Sequence, residues 1–339
     1  MLNDGTTPAG PPPWIAEQAR LLLAQRGHAW LLHGPSGLGQ YGLAMELARA
    51  WLCENSTPAG ACGVCGSCHA VDVRTHADLC VLMPETTLLD LGWPLGEKAQ
   101  SEIDDKKRKA SKEIRVDAMR EAVEFSQRTS ARGRGKVVLV YPAEQMNTIT
   151  ANALLKTLEE PPGDVKFVLA SESAHQLLPT IRSRCLGHAM HWPDPATSQR
   201  WMKSRGFDAD QAQLLLQSMG GRPEDAVAFA GSGRDPGAWP NLPKALARGD
   251  VGYFKDWTIP QTLDALHKLC HDLMARQVGA SPRFFAERDL STLADLAALS
   301  EWSKALSRTM RTMDHPFNAG LMLEALVGQA KSVLNSGTP

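Results

Sequence analysis

A glycine-rich loop between an apolar run and an amphipathic segment constrains the fold of this chain more than any other feature. The run "HAWLLHG", residues 28–34, is short, apolar and ended by glycine, which is typical of a buried parallel strand. Residues 42–53 then repeat apolar side chains at helical spacing. Between them, Gly34, Gly37 and Gly39 keep the glycine frame of a phosphate-binding loop. A strand, a glycine loop and a helix in this order predict an α/β domain built on a parallel sheet.

The same loop lacks the two residues that normally hold a nucleotide. In a working loop a Lys neutralises the outer phosphates and a Ser or Thr hydroxyl binds Mg²⁺, but this chain has Gln40 and Tyr41 at these positions. The strand that should supply a metal-binding Asp and a neighbouring Glu is followed by Tyr141 and Pro142. We therefore expect no functional ATP site. The glycines then form either a weak backbone-only phosphate site or simply a tight turn between strand and helix.

Two further strands and the helices between them extend the α/β pattern. The apolar runs at 137–140 and 165–170 are short, as expected for buried strands, and helical patterns occupy 114–127 and 147–163. We predict a parallel sheet with helices on both faces, within a domain that covers residues 1–192.

After residue 192 the strand signal fades and helical patterns remain. Residues 193–238 contain two short helical segments divided by glycines, and residues 239–339 contain three amphipathic helical patterns. A chain of 339 residues is long enough for two or three domains. We predict a small helical domain over 193–238 and an all-α bundle over 239–339.

The charge balance excludes a global attraction to nucleic acid or to an anionic membrane. There are 36 Lys and Arg against 37 Asp and Glu, a net charge of −1. No apolar run reaches the roughly 18 residues of a membrane span, and the first residues lack a signal-peptide pattern, so we expect a cytoplasmic protein with no membrane partner. Residues 96–113 are highly charged and predict a solvated surface insertion, with a DNA contact through 106–109 as the alternative.

Four of the seven cysteines are crowded into one short segment. Cys53, Cys62, Cys65 and Cys68 follow the spacing C-x8-C-x2-C-x2-C, and glycines lie between the close pairs. Four thiolates around one ion favour Zn²⁺ in a structural role, within an insertion at about 53–68. An iron–sulfur cluster is the rival, although the expected fourth cysteine with its proline is missing after Cys68. His69 could replace one sulfur as a ligand, but we expect it to lie beside the site.

Four stretches of the sequence together resemble a known family. They are "HGPSGLGQ", the cysteines that follow the first helix of the α/β pattern, "TANALLKTLEEPPGDVKFVLAS" and "LLPTIRSRC", and they span most of residues 25–190. These stretches resemble the AAA+ subunits of bacterial sliding-clamp loaders. Because the loop Lys, the hydroxyl residue and the strand-end acids are missing, the chain resembles the member of that family that does not hydrolyse ATP. The later half of the chain matches in layout more than in residues.

The resemblance implies an architecture and a set of partners. It implies an ATPase-type domain, a helical lid and a C-terminal collar that joins other loader subunits, of the gamma/tau ATPase type and the delta type, in a hetero-pentamer. That complex acts on a sliding clamp and primer-template DNA as part of the DNA polymerase III holoenzyme. Ser183, Arg184 and Cys185 match the family's Ser-Arg-Cys motif. The resemblance therefore implies that Arg184 reaches across a subunit boundary to ATP held by a neighbour. It places Arg222 at the position of the lid arginine that senses bound nucleotide, with a surface residue at the start of a helix as the favoured alternative.

Two other functions remain open at this point. One is a weakly active ATPase that binds phosphate through the loop backbone alone. The other is a zinc-containing module for nucleic acid, formed by the cysteine segment and the basic residues 106–109.

Overall fold

The computed structural model describes residues 10–290, 294–312 and 318–337. The chain divides into two compact units, one containing Ala9–Pro193 and the other containing Asp194–Pro339. The further division of the second unit into a lid over 193–238 and a collar over 239–339 stays a prediction.

A five-stranded parallel sheet forms the centre of the first unit. Its strands are β1 (Ala29–His33), β2 (Leu79–Leu82), β3 (Lys136–Val140), β4 (Val165–Ser171) and β5 (Leu186–Ala189). They lie in the order β2-β3-β4-β1-β5, and every neighbouring pair is parallel. The register places Trp30 of β1 between Val168 of β4 and Leu186 of β5. Because the carboxyl ends of parallel strands meet at one edge, the loop after β1 and the residues after β3 and β4 lie together.

Helices cover both faces of this sheet. They are α1 (Pro13–Leu23), α2 (Gln40–Leu52), α3 (Gly66–Asp72), α4 (Glu85–Asp90), α5 (Glu97–Asp104), α6 (Val116–Gln127), α7 (Thr148–Glu159) and α8 (Pro179–Arg182). On one face, Val138 packs in a core with Met119 of α6 and Leu154 of α7. On the other, Val137 packs against Leu52 of α2. Neighbouring residues of β3 point to opposite faces, as strand geometry requires, and the α/β fold expected from the sequence is confirmed.

The charged segment between β2 and α6 is folded. Arg108 donates to both carboxylate oxygens of Glu85, at 2.5 and 2.8 Å, and to Glu102 at 2.7 Å. Lys107 pairs with Asp105 at 2.8 Å. Two of the four basic residues proposed for a DNA contact are therefore neutralised within the segment itself, which disfavours that alternative.

The described part of the second unit contains helices and loops but no strand. Its helices are α9 (Pro195–Ser204), α10 (Ala209–Ser218), α11 (Pro223–Ala230), α12 (Leu242–Arg248), α13 (Ile259–Gln277), α14 (Leu296–Thr312) and α15 (Ala319–Leu334). The fully buried Asp272 carboxylate accepts hydrogen bonds from the backbone N–H groups of Arg283, Phe284 and Phe285, which fixes the loop after α13. Among all the helices described, none has both the length and the apolar content needed to cross a membrane.

Candidate functional site

The side chain of Gln40 closes the glycine loop between β1 and α2. Gly39 precedes the helix with φ of 81°, a left-handed conformation that favours glycine. Gln40 Nε2 donates to the carbonyl oxygens of Gly34 at 3.0 Å and Pro35 at 2.8 Å, and the residue is only 2% exposed. The position that holds Lys in a working loop therefore carries an uncharged amide. Both amide donors are used on the loop itself, so none points at a phosphate.

An apolar side chain also packs against the start of the loop. Leu38 is buried, and a Cβ placed on Gly34 would lie 2.7 Å from Leu38 Cδ1. A side chain at position 34 would therefore force Leu38 to shift. Packing thus favours Gly34 independently of any phosphate contact.

Two tyrosines meet where a working site would hold Mg²⁺. The rings of Tyr41, on the first turn of α2, and Tyr141, directly after β3, lie 5.5 Å apart between centroids. Trp93 Nε1 donates to the Tyr41 hydroxyl at 2.8 Å, and the Tyr141 hydroxyl donates to Glu172 at 3.1 Å. Burial raises the pKa of both phenols, so they stay neutral at physiological pH. Neutral aromatic rings replace the hydroxyl and carboxylate oxygens that Mg²⁺ prefers.

The four predicted cysteine ligands come together in one cluster. Their sulfur atoms all lie within 4.8 Å of one another, with 3.8 Å between Cys53 and Cys65 and 4.0 Å between Cys62 and Cys68. A tetrahedron with metal–sulfur bonds of about 2.3 Å separates its sulfurs by about 3.8 Å. The residues therefore fit a four-thiolate metal centre. His69 is exposed and lies outside the cluster of four sulfurs.

Backbone N–H groups point at these sulfur atoms. The N–H of Cys62 donates to Cys53 Sγ at 3.2 Å, and the N–H of Cys68 donates to Cys65 Sγ at 3.4 Å. Burial works against ionisation of Cys65, but the backbone N–H groups of Cys68 and Glu54 outweigh it and lower its pKa to about 6. At Cys65 the donors thus favour the thiolate form that binds a metal, whereas burial and the neighbouring Cys65 sulfur raise the pKa of the Cys68 thiol to about 12.

A set of polar contacts attaches the cysteine segment to the sheet. The Glu54 carboxylate accepts from Ser67, through both its backbone N–H and its hydroxyl, and from Arg132 at 3.0 Å. Arg134 donates to the carbonyl oxygen of Cys53 at 3.0 Å. Both arginines lie in the loop that leads into β3, so the cluster is tied to the domain that carries the glycine loop.

The Ser-Arg-Cys residues lie between α8 and β5, and their side chains differ in exposure. Ser183 is exposed, and its hydroxyl donates to the carbonyl oxygen of Thr180 at 3.2 Å. Cys185 packs against the core on the face of the sheet that α6 and α7 cover, and burial there raises the pKa of its thiol to about 12. The Arg184 side chain keeps 28% of its surface exposed and pairs with Glu159 at the end of α7. The cysteine therefore anchors the segment while the arginine reaches the surface.

Two contacts in these sites are not predicted by the sequence. Trp93 lies 52 residues from Tyr41, and Glu159 lies 25 residues from Arg184, so neither contact has a local sequence signal. Arg222, which the resemblance places at the position of the lid arginine, is the residue directly before α11; its Nε lies 3.1 Å from Asp225 and donates to the Met219 carbonyl oxygen.

The first unit has a parallel sheet in the order β2-β3-β4-β1-β5 and a glycine loop after β1 that lacks the Lys and the Ser or Thr. These two features define it as a degenerate P-loop domain of the AAA+ class. The family model described as "DNA polymerase III, delta subunit" matches residues 18–191. A DNA polymerase III subunit delta' from Pseudomonas aeruginosa is 33% identical over 341 residues, 93% of this chain and 94% of that protein. The chain belongs to the DNA polymerase III delta prime family.

Other relatives match over shorter regions. The delta' subunit from Escherichia coli is 34% identical over 64% of this chain and 60% of its own length. The DNA polymerase III subunit tau from Salmonella typhimurium is 35% identical over 49% of this chain and 22% of its own length. Among solved structures, a gamma subunit-related protein from Thermotoga maritima is 16% identical with a TM-score of 0.48, covering 94% of this chain and 99% of that one.

Proposed function

We propose that this chain is a clamp-loader subunit that does not hydrolyse ATP itself and lends Arg184 in trans to ATP bound by a neighbouring subunit. One observation carries the proposal: a nucleotide loop closed on itself by Gln40 coexists with a surface arginine in an intact Ser-Arg-Cys motif. The chain then acts as a scaffold and donor within a machine that places a ring clamp on primed DNA.

The residues at the ligand positions support the proposed absence of hydrolysis. Gln40 supplies no charge to phosphates, and the paired rings of Tyr41 and Tyr141 offer Mg²⁺ neither a small hydroxyl nor a carboxylate. Isothermal titration of the isolated chain with Mg-ATP is the test. We expect no tight binding and no turnover. Tight binding with phosphate release would instead favour the weakly active ATPase.

The role of Arg184 rests on electrostatics across a subunit boundary. A guanidinium supplied in trans stabilises charge on the transferring phosphoryl group, and in GTPases such fingers contribute about 10³ to 10⁵ in rate. In a loader reconstituted with its ATPase subunits, Arg184→Ala should reduce DNA-stimulated hydrolysis by at least tenfold. Arg182→Ala is the matched control because it removes an exposed arginine two residues away. Equal rates for the two variants would refute the role of Arg184.

The partners proposed are ATPase subunits of the gamma/tau type and a delta-type subunit, in a cytoplasmic hetero-pentamer. The support is the family membership together with similarity to tau and gamma/tau subunits. Affinity purification of the tagged chain from its own cells, followed by native mass spectrometry, tests this. A stoichiometric complex without an ATPase subunit would contradict the proposal.

The metal proposed for the cysteine cluster is a structural Zn²⁺. Four thiolates complete a tetrahedron and leave no open position for catalysis. When bound, the ion would supply a cross-link between the end of α2 and α3, through Cys53, Cys62, Cys65 and Cys68. Metal analysis of the purified chain should give one zinc per molecule. Iron with inorganic sulfide would identify the rival cluster, and a zinc content well below one would refute the site.

A further inference from the structure

The Arg184 guanidinium is held on its own subunit by contacts to all three of its nitrogens. Glu159 Oε1 accepts from Nε at 2.7 Å and also from Nη2. Nη1 donates to the Thr180 carbonyl oxygen at 2.8 Å and has a longer contact, 3.4 Å, to the Ser183 hydroxyl. Glu159 is the only charged member of this set, and it comes from a different helix, α7.

We propose that Glu159 is a positioning residue that orients Arg184 for its contact with a phosphate, an inference that rests on the proposed function. A guanidinium carries five N–H donors in a rigid fork. The bonds to Glu159 and Thr180 use three of them, so that, apart from the longer Nη1 contact to the Ser183 hydroxyl, one N–H remains on each terminal nitrogen. N–H groups on both terminal nitrogens of a guanidinium can bind a phosphate bidentately.

Helix stability does not explain a carboxylate at position 159. Because α7 ends at Glu159, its negative charge lies beside the negative end of the helix macrodipole, where cations are favoured. Glu160 follows directly and is exposed as well, yet its carboxylate makes no hydrogen bond or ion pair with any residue in the described ranges. Of two adjacent acidic residues, only Glu159 is directed at Arg184.

Holding the side chain in advance increases the rate of the reaction that it assists. A free arginine loses rotamer freedom when it binds a phosphate, whereas a guanidinium fixed by Glu159 and Thr180 has already lost it. Without the Glu159 carboxylate the guanidinium spends less time in the productive orientation. Since the pair is partly exposed, at 28% for Arg184 and 48% for Glu159, we expect an effect of about fivefold on kcat.

The test compares Glu159→Ala with Glu160→Ala in the full reconstituted loader, with clamp and primed DNA present. We expect Glu159→Ala to lower kcat for ATP hydrolysis by about fivefold with an unchanged KM for ATP, and Glu160→Ala to match the wild type. In an Arg184→Ala background, Glu159→Ala should have no further effect, because a positioning residue acts only through the residue it positions.

Three results would overturn the inference: an unchanged or increased kcat for Glu159→Ala, equal losses for Glu159→Ala and Glu160→Ala, or a full additional loss in the Arg184→Ala background. A wild-type rate for Arg184→Ala would instead refute the proposed function. The two failures are therefore distinguishable within one set of variants.

Discussion

Lys136 Nζ lies 3.1 Å from Asp78 Oδ1 in an ion pair that is almost completely removed from solvent, with Asp78 at 0% and Lys136 at 5% exposure. Asp78 also accepts from the backbone N–H groups of Ala131 and Arg132. The pair therefore connects the start of β3 to the preceding loop, which carries the two arginines that contact the cysteine segment. The loop that holds the cysteine segment is therefore tied to a carboxylate outside the cysteine cluster.

Asp78→Ala should lower the free energy of unfolding by about 3 to 5 kcal/mol, because it leaves the Lys136 ammonium buried without its partner. Urea denaturation followed by circular dichroism measures this. Replacing both members, as Asp78→Ala with Lys136→Met, should recover part of the loss since no unpaired charge remains. A single variant as stable as the wild type would show that the ion pair is not buried in solution.

Stability should also fall in acid through Asp78. Burial raises the pKa of this carboxyl, but the N–H groups of Ala131 and Arg132 and the Lys136 ammonium outweigh it and hold the pKa below its ordinary value of 3.8. A carboxyl with a lower pKa in the folded state stabilises the protein fully above its unfolded pKa. That stabilisation is lost as the pH falls through the folded pKa. At and below about pH 4, the urea concentration at the midpoint of unfolding should therefore decline more steeply with falling pH for the wild type than for Asp78→Asn. Parallel declines of the two midpoints would contradict this.

Gln40→Met should destabilise the glycine loop without giving it any affinity for ATP. Methionine keeps the length of the side chain but removes both donors to Gly34 and Pro35, leaving two carbonyl oxygens without these partners. We expect a loss of about 1 to 3 kcal/mol in the free energy of unfolding. Gln25→Met, at an exposed position, serves as the control and should be nearly neutral. Equal losses in the free energy of unfolding for Gln40→Met and Gln25→Met would show that the hydrogen bonds of Gln40 do not contribute to stability.

Removal of the proposed zinc should unfold the cysteine segment before the sheet. Among the described residues, Ala61 is the one apolar side chain that packs with the cysteines, so little apolar burial remains to order residues 53–68 once the cross-link is gone; Val71, at the end of α3, packs instead in the core with Leu52 and Val137. Hydrogen exchange measured with and without a zinc chelator should show loss of protection in 53–68 and retention in β3 and β4. Adding Zn²⁺ back should restore protection and Mg²⁺ should not. Uniform protection throughout would contradict a structural metal.

The strands differ in how far their sequences predict them. β1, β3 and β4 are buried apolar runs, and sequence analysis placed all three correctly. It did not identify β2, which has four residues and is only partly buried, or β5, whose exposed residues "LGHA" show no apolar alternation. Pairing with β3 and β1 respectively makes these segments strands, and pairing partners cannot be read from four residues.

By itself, the sequence determined the features that depend on neighbours along the chain. The glycine frame, the substitution of Gln40 and Tyr41, and the spacing of four cysteines within 16 residues are local patterns, and short chain lengths restrict where their side chains can meet. Only the tertiary structure decided that Trp93 bonds to Tyr41, that Tyr41 packs on Tyr141, and that Glu159 holds Arg184. These contacts join separate elements, and the order of the strands in the sheet, which no local propensity encodes, sets the distances between them.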